Sequence, residues 1–155
     1  MHIEDIVANK AVFRGASFAR FRTAESRFRE ANCDGADLER AVFYSSNLTK
    51  ASFRGALMRK VSLATSRLSG ADFEDADLTA AELRGATVSQ VSFKDAVLVG
   101  ADLSYTTLAG ADLRGADLTN ANLTDAILHG AKLDDVVWEG ATVKGAEFHP
   151  GAAPW

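Results

Sequence analysis

Proline is almost missing from this 155-residue sequence, and the two that occur, Pro150 and Pro154, fall in the last six residues. No Ser/Gly-rich linker, charge block or shift in composition interrupts the chain between Lys10 and Glu147. One domain is therefore expected, and 47% hydrophobic content at this length is enough for a real core. Cysteine occurs once, as Cys33, which excludes an internal disulfide framework and fits a reducing compartment. No run of 18 apolar residues exists, so no membrane-spanning helix is expected. The opening MHIEDIVANK lacks the basic start and continuous apolar run of a secretory signal, so the expected setting is the cytoplasm, with no membrane partner. Also missing are a phosphate loop, a Cys/His zinc motif and an aromatic-plus-basic nucleic-acid module, which leaves no expected cofactor and no direct nucleic-acid partner.

What the sequence has instead is a period of five. In GADLRGADLTNANLTDAILHGAKL a leucine stands at every fifth position: Leu113, Leu118, Leu123, Leu128 and Leu133. On a helix at 100° per residue such leucines spiral around the surface instead of forming one stripe. On a strand, an odd spacing sends successive leucines to opposite faces. A chain that turns a corner once every five residues buries them all, because each short side then points its central residue at a common axis. That is a solenoid of very short strands.

With the central residue of each unit written i, the register runs unbroken through 28 units from Ala11 to Pro150. Position i holds 14 Leu, eight Phe, two Val, Met58, Trp138, Cys33 and one misfit, Thr23. Position i-2 holds 20 Ala, three Ser, three Val, Thr106 and one misfit, Phe21. Large in the centre and small beside it is the pairing that packs a narrow tube. Eleven of the twelve glycines sit at i+2, as corners that require positive φ would have them. The misfits share one unit, FRTAE, and read as an exchange of volume within one side. Phe13, Phe53, Phe73 and Phe93, and the trio Ser26, Ser46 and Ser66, recur at multiples of 20, although phenylalanines also recur at 15.

The repeated A(D/N)LXX, as in ADLRG, ADLTN and ANLTD from Ala111 to Asp125, closely resembles the pentapeptide-repeat proteins, and the match covers about nine-tenths of the chain. The resemblance implies an all-β fold, a right-handed quadrilateral parallel β-helix with four units per turn and with i and i-2 facing inward. About seven coils at ~4.8 Å each make a rod on the order of 34 Å long. The expected organisation is an N-terminal start or cap at 1–10, an uninterrupted helix at 11–150 and a capping tail at 151–155. Met1, Ile3, Ile6 and Val7 are candidates to cover the first coil, and Trp155 with the two prolines to cover the last. Phe13, Phe53, Phe73, Phe93, Leu113, Leu118 and Leu123 are expected to define the core. The resemblance also implies end-to-end pairing of two rods.

Such a rod turns its polar residues outward on a convex surface, whereas catalysis needs convergent groups in a concave pocket, so no enzyme is expected. Cys33, at a central position, reads as a small buried hydrophobe and not a nucleophile. His129 and His149 stack at a spacing of 20 and, at about 5 Å apart, are of metal-sharing geometry, but no third ligand is placed and a solvated polar ladder is expected. The column Arg14, Asp34, Arg54, Glu74, Lys94, Arg114, Asp134 mostly alternates in sign and reads as cross-strand ion pairs that fix register.

Some pentapeptide-repeat proteins protect or inhibit DNA gyrase by imitating an acidic duplex, so a type II topoisomerase is the partner that the resemblance implies. Duplex DNA carries one charge per ~1.7 Å, and a rod of this length needs roughly 20 negative charges to match it. The net charge is -4: residues 1–60 carry 11 basic and 7 acidic groups, and residues 61–155 carry 6 and 14. Asp72, Asp77, Asp102, Asp112 and Asp117 form a candidate acidic surface well below duplex density. Arg20, Arg40 and Lys60 stack at i+2 as a candidate basic edge for an acidic partner. The reading is a non-enzymatic protein-binding or scaffolding rod, with topoisomerase regulation as the alternative.

Overall fold

The computed structural model describes residues 2–152, with side chains from Glu4 onward. Met1, the Ile3 side chain, Pro154 and Trp155, all assigned capping roles above, lie outside the described residues. Every five-residue unit up to Gly145 ends in a corner, and every corner residue from Asp5 to Gly145 has φ between 50° and 71°, glycine or not. In most units the carbonyl of residue i accepts a hydrogen bond across its corner, as Phe53 O does from Ala56 N at 3.0 Å. That bond with a positive φ at its third residue is the type II arrangement. Among the described residues, eighteen that are not glycine adopt this left-handed conformation, so positive φ is a property of the corner and not of the glycines alone.

Between corners the backbone pairs only with the turn above and the turn below, always in parallel and with a register of 20 residues, so that individual hydrogen bonds join residues 19 or 21 apart. Phe53 N donates to Asp72 O at 2.7 Å, Gly55 N to Glu74 O at 2.9 Å, and Ser52 N to Ala31 O at 2.9 Å. The competing spacing of 15 is thereby excluded. Strands are short because the corners cut them. β1 (His2–Glu4), β2 (Arg22–Ala24) and β3 (Val42–Tyr44) form one sheet, and β4 (Ile127–Leu128) pairs with β5 (Glu147–Phe148). The rest of the ladder consists of single-residue parallel pairings such as Asp77↔Val97.

This bonding leaves one backbone donor per unit, the N–H of i+1, without a neighbour. Asp or Asn at i-1 supplies the acceptor within the same unit: Asp72 Oδ1 takes Glu74 N at 3.0 Å, Asp117 takes Thr119 N at 2.9 Å, and Asn122 takes Thr124 N at 3.1 Å. All nine Asp and Asn residues at i-1 do this, which is the physical reason for the second letter of the repeat.

The bore is filled by i and i-2. Phe53, Phe73 and Phe93 are fully buried and stack face to face, with centroids 5.0 and 5.2 Å apart, and Leu113, Leu118 and Leu123 continue the packing. Phe13 departs from the expectation. It is only partly buried, as are Phe18 and Phe21 at the same end of the bore, and with Cys33 between it and Phe53 it turns edge-on to Phe18 at 5.1 Å. Val7 also departs: its i-1 phase turns it outward, 60% exposed, so it covers nothing.

The FRTAE unit is not only an exchange of volume. Thr23 is fully buried and its hydroxyl meets Ser26 Oγ at 2.5 Å. Where β1, β2 and β3 run three residues long, the serine column replaces corner hydrogen bonds: Ile6, Ser26 and Ser46 each donate their N–H to the serine oxygen one turn on, at 3.0, 3.2 and 3.1 Å. Ser66 closes the column by donating to Phe43 O. Phe21 packs instead on Phe18 and Phe43, at 5.8 and 6.0 Å. The N-terminal end of the bore is underfilled. A cavity of about 200 Å³ reaches from Ile6 and Ala8 down to Phe53.

Candidate interaction surface

The columns that carry charge are set by the 20-residue pairing, so the sequence register maps directly onto neighbours in space. The expected ladder of alternating charge forms in the middle of its column. Arg54 Nη1 binds Glu74 at 2.5 Å, and Lys94 Nζ binds Glu74 at 3.2 Å. Arg54 and Lys94 together hold the Glu74 carboxyl below its usual range. Arg114 leaves the ladder and turns to Asp112 in its own unit, forming two bonds of 2.8 and 2.6 Å. Asp34 takes its hydrogen bonds from Ser52 Oγ and Arg54 N.

The candidate acidic surface is largely occupied from within. Asp72 is bound by Arg54 at 2.9 Å, Asp77 by Arg59 at 2.6 Å, and Asp112 by Arg114 at 2.6 Å and Lys132 at 3.4 Å. The Arg114 hydrogen bonds hold the Asp112 carboxyl far below the usual carboxylate range. Burial pushes Asp77 upward, but bonds from Thr79 and Arg59 outweigh it and leave the carboxyl lowered. Asp117 and Asp102 cap their own units and have no ion pair among the described residues, and Asp102 also accepts from Asn122 Nδ2 at 3.3 Å.

The basic edge has the opposite character. Arg20, Arg40 and Lys60 occupy consecutive corners with φ of 61°, 58° and 56°, each exposed and each bonded through its N–H to the next turn. Arg40 lies 3.6 Å from Glu39, while Arg20 and Lys60 have no ion pair among the described residues. Arg22, Arg27, Arg29, Lys50 and Arg67 are likewise exposed and without an ion pair there. Side-chain cations therefore face solvent around residues 20–67 on the sides flanking that edge.

His129 Nε2 faces Glu147 at 3.5 Å, and no group of three or more His, Cys, Asp or Glu among the described residues is placed to hold a metal. Cys33 is 5% exposed, and burial, with the Asp34 carboxylate beside it, pushes its thiol up to about 12. Sequence reasoning missed Arg84, whose guanidinium lies 4.5 Å over the Tyr105 ring. The two are 21 residues apart, the diagonal neighbour in a 20-residue turn, which is the signal that marks the pair.

The family model described as pentapeptide repeats (8 copies) matches three successive segments, residues 24–59, 58–95 and 96–135. No curated protein matches the chain. Among solved structures it is similar to full-length QnrB1, a plasmid-mediated fluoroquinolone resistance protein, at 19% identity and TM-score 0.71 over 96% of this chain and 93% of that one. It is also similar to HetL, a pentapeptide repeat protein involved in heterocyst differentiation regulation from the cyanobacterium Nostoc, at 25% identity and TM-score 0.52 over 94% and 86%. The 20-residue parallel pairing, the five-residue corners and the matched repeats make this chain a member of the pentapeptide-repeat family, with its right-handed quadrilateral β-helix.

Proposed function

We propose that this chain is a non-enzymatic docking rod of the cytoplasm that binds an acidic protein surface through the edge formed by Arg20, Arg40 and Lys60. The observation that carries the reading is the contrast in pairing. Asp72, Asp77 and Asp112 are held by arginines of the same chain, whereas Arg20 and Lys60 have no ion pair among the described residues. Like charges on adjacent turns, about 5 Å apart, repel each other, and an anionic partner relieves that repulsion. Binding by an exposed edge is salt-sensitive, since screening sets in beyond a Debye length of ~8 Å.

The test is affinity capture from native lysate with the wild type and with Arg20, Arg40 and Lys60 all changed to Ser, at low and high salt. The expected result is a specific protein retained by the wild type at low salt and lost both in the triple variant and at high salt. A captured partner indifferent to both changes removes the edge from the interface. Regulation of a type II topoisomerase is the second reading brought by the family, and the internal neutralisation of three of its candidate aspartates counts against DNA imitation. No inhibition of gyrase supercoiling, and no protection from a quinolone, at large molar excess would eliminate it.

A further inference from the structure

We propose that the N-terminal end of the bore is a binding site for one small, uncharged apolar molecule the size of a substituted benzene. The cavity of about 200 Å³ is lined by apolar side chains and the Cys33 thiol, and its lining presents no polar surface. For scale, an engineered apolar cavity of about 150 Å³ stays dry and takes up benzene. The cause is visible in the register. Ala8 and Cys33 stand at central positions where leucine or phenylalanine is the rule, so two of the inward side chains are too short to meet.

The walls favour an aromatic guest. Deeper in the bore, phenylalanines stack face to face at 7° and 17°. Around the cavity they meet at steep angles instead, Phe13 on Phe18 at 88° and Phe28 on Phe43 at 86°, so ring edges as well as faces line the space. Edge-to-face contact is a preferred aromatic geometry. The site is also preformed, since the tube wall around it is held by backbone bonds such as Phe13 N to Asn32 O at 2.6 Å and Phe28 N to Asn47 O at 2.8 Å. A peptide segment is disfavoured as occupant, because its N–H and C=O groups would find no partner there. A charged ligand is disfavoured for the same reason.

Benzene is the probe, and Cys33 in the wall is the reporter. Melting temperature and the rate of Cys33 modification by a small thiol reagent are measured with and without benzene, for wild type, Cys33→Leu and the milder Ala8→Val. Benzene is expected to raise the wild-type melting temperature saturably and, at about ten times its Kd, to slow modification by about tenfold. Both substitutions fill the space, so each is expected to raise the ligand-free melting temperature and to weaken or abolish the benzene effect. No benzene effect in the wild type, together with destabilisation by both substitutions, would mean that the chain's own first residues already fill the bore, and the proposal fails. It fails equally if light scattering shows a wild-type dimer that benzene does not disturb and that both substitutions dissociate, because a second copy then plugs the end.

Discussion

Phe73 sits between Phe53 and Phe93, fully buried with a ring on either face, so its removal leaves a cavity that no neighbour can close without breaking the stack. Phe73→Ala is expected to cost about 3 to 5 kcal/mol, read from urea midpoints. Phe13→Ala, at the partly buried mouth, should cost distinctly less; equal losses would mean that the bore is packed uniformly to its end. Glycine corners differ among themselves in a comparable way. Gly55 has open space where a Cβ would go, and Ala there should cost only the strain of its positive φ, roughly 1 kcal/mol. At Gly115 the same methyl would collide with Asp95 Oδ1 on the turn before. Because that oxygen is the tip of an exposed side chain, Gly115→Ala should exceed Gly55→Ala only by the small cost of turning the carboxylate aside, and adding Asp95→Ala should return it to the Gly55→Ala level. Melting of the double variant no higher than that of Gly115→Ala alone would place the strain in the backbone, not in the contact.

The unit of five explains which parts of this protein are readable from its letters. Period, corner and inward positions are legible because each is a requirement of bulk or conformation repeated many times over: a leucine at i and an alanine at i-2 admit no other phase. The roles of Asp117 and Asp72 are not legible in that way. A carboxylate that caps an N–H two residues on looks, in sequence, the same as a free surface charge. Whether Arg54 or Arg114 takes a partner one turn away or within its own unit depends on side-chain rotamers, which no spacing encodes. Two substitutions separate cap from charge. Asp117→Asn keeps the acceptor and should be near neutral, while Asp117→Ala orphans Thr119 N–H and should cost about 1 kcal/mol in thermal melts. A loss as large for Asn as for Ala would make the charge the active element. Acid tells the same story through Asp112. Its folded carboxyl titrates well below the unfolded value near ~3.9, so the unfolded chain binds the proton first, and stability present above that value drains away as pH falls. The melting temperature of Asp112→Asn should fall less steeply than that of the wild type between pH ~5 and ~2; parallel curves would show that the Arg114 contact adds nothing.

Each turn touches only its two neighbours, so the rod has nearest-neighbour energetics and no contact ties its ends together. The outward positions divide the length unevenly, with side-chain cations facing solvent around residues 20–67 and acids in excess from Asp72 onward, where Asp72, Asp77 and Asp112 are held by cations of the same chain and Asp102 and Asp117 have no ion pair among the described residues. A column of apolar side chains, Leu57, Val97 and Val137, interrupts the charges on one side, between 37% and 52% exposed. Which residues share a side follows from a simple count: five residues advance the chain by one corner, and four corners complete a turn. An insertion of five therefore keeps every inward residue inward, yet rotates all that follows by a quarter of a turn. Aspartates that now lie on one side of the rod would move round to the next without any change in their own letters. An insertion of four or six would instead drive charge into the bore. In this fold, gain or loss of a single repeat is thus a way to re-aim a binding surface while leaving the core intact, and lineages of such rods can vary partner geometry by length alone.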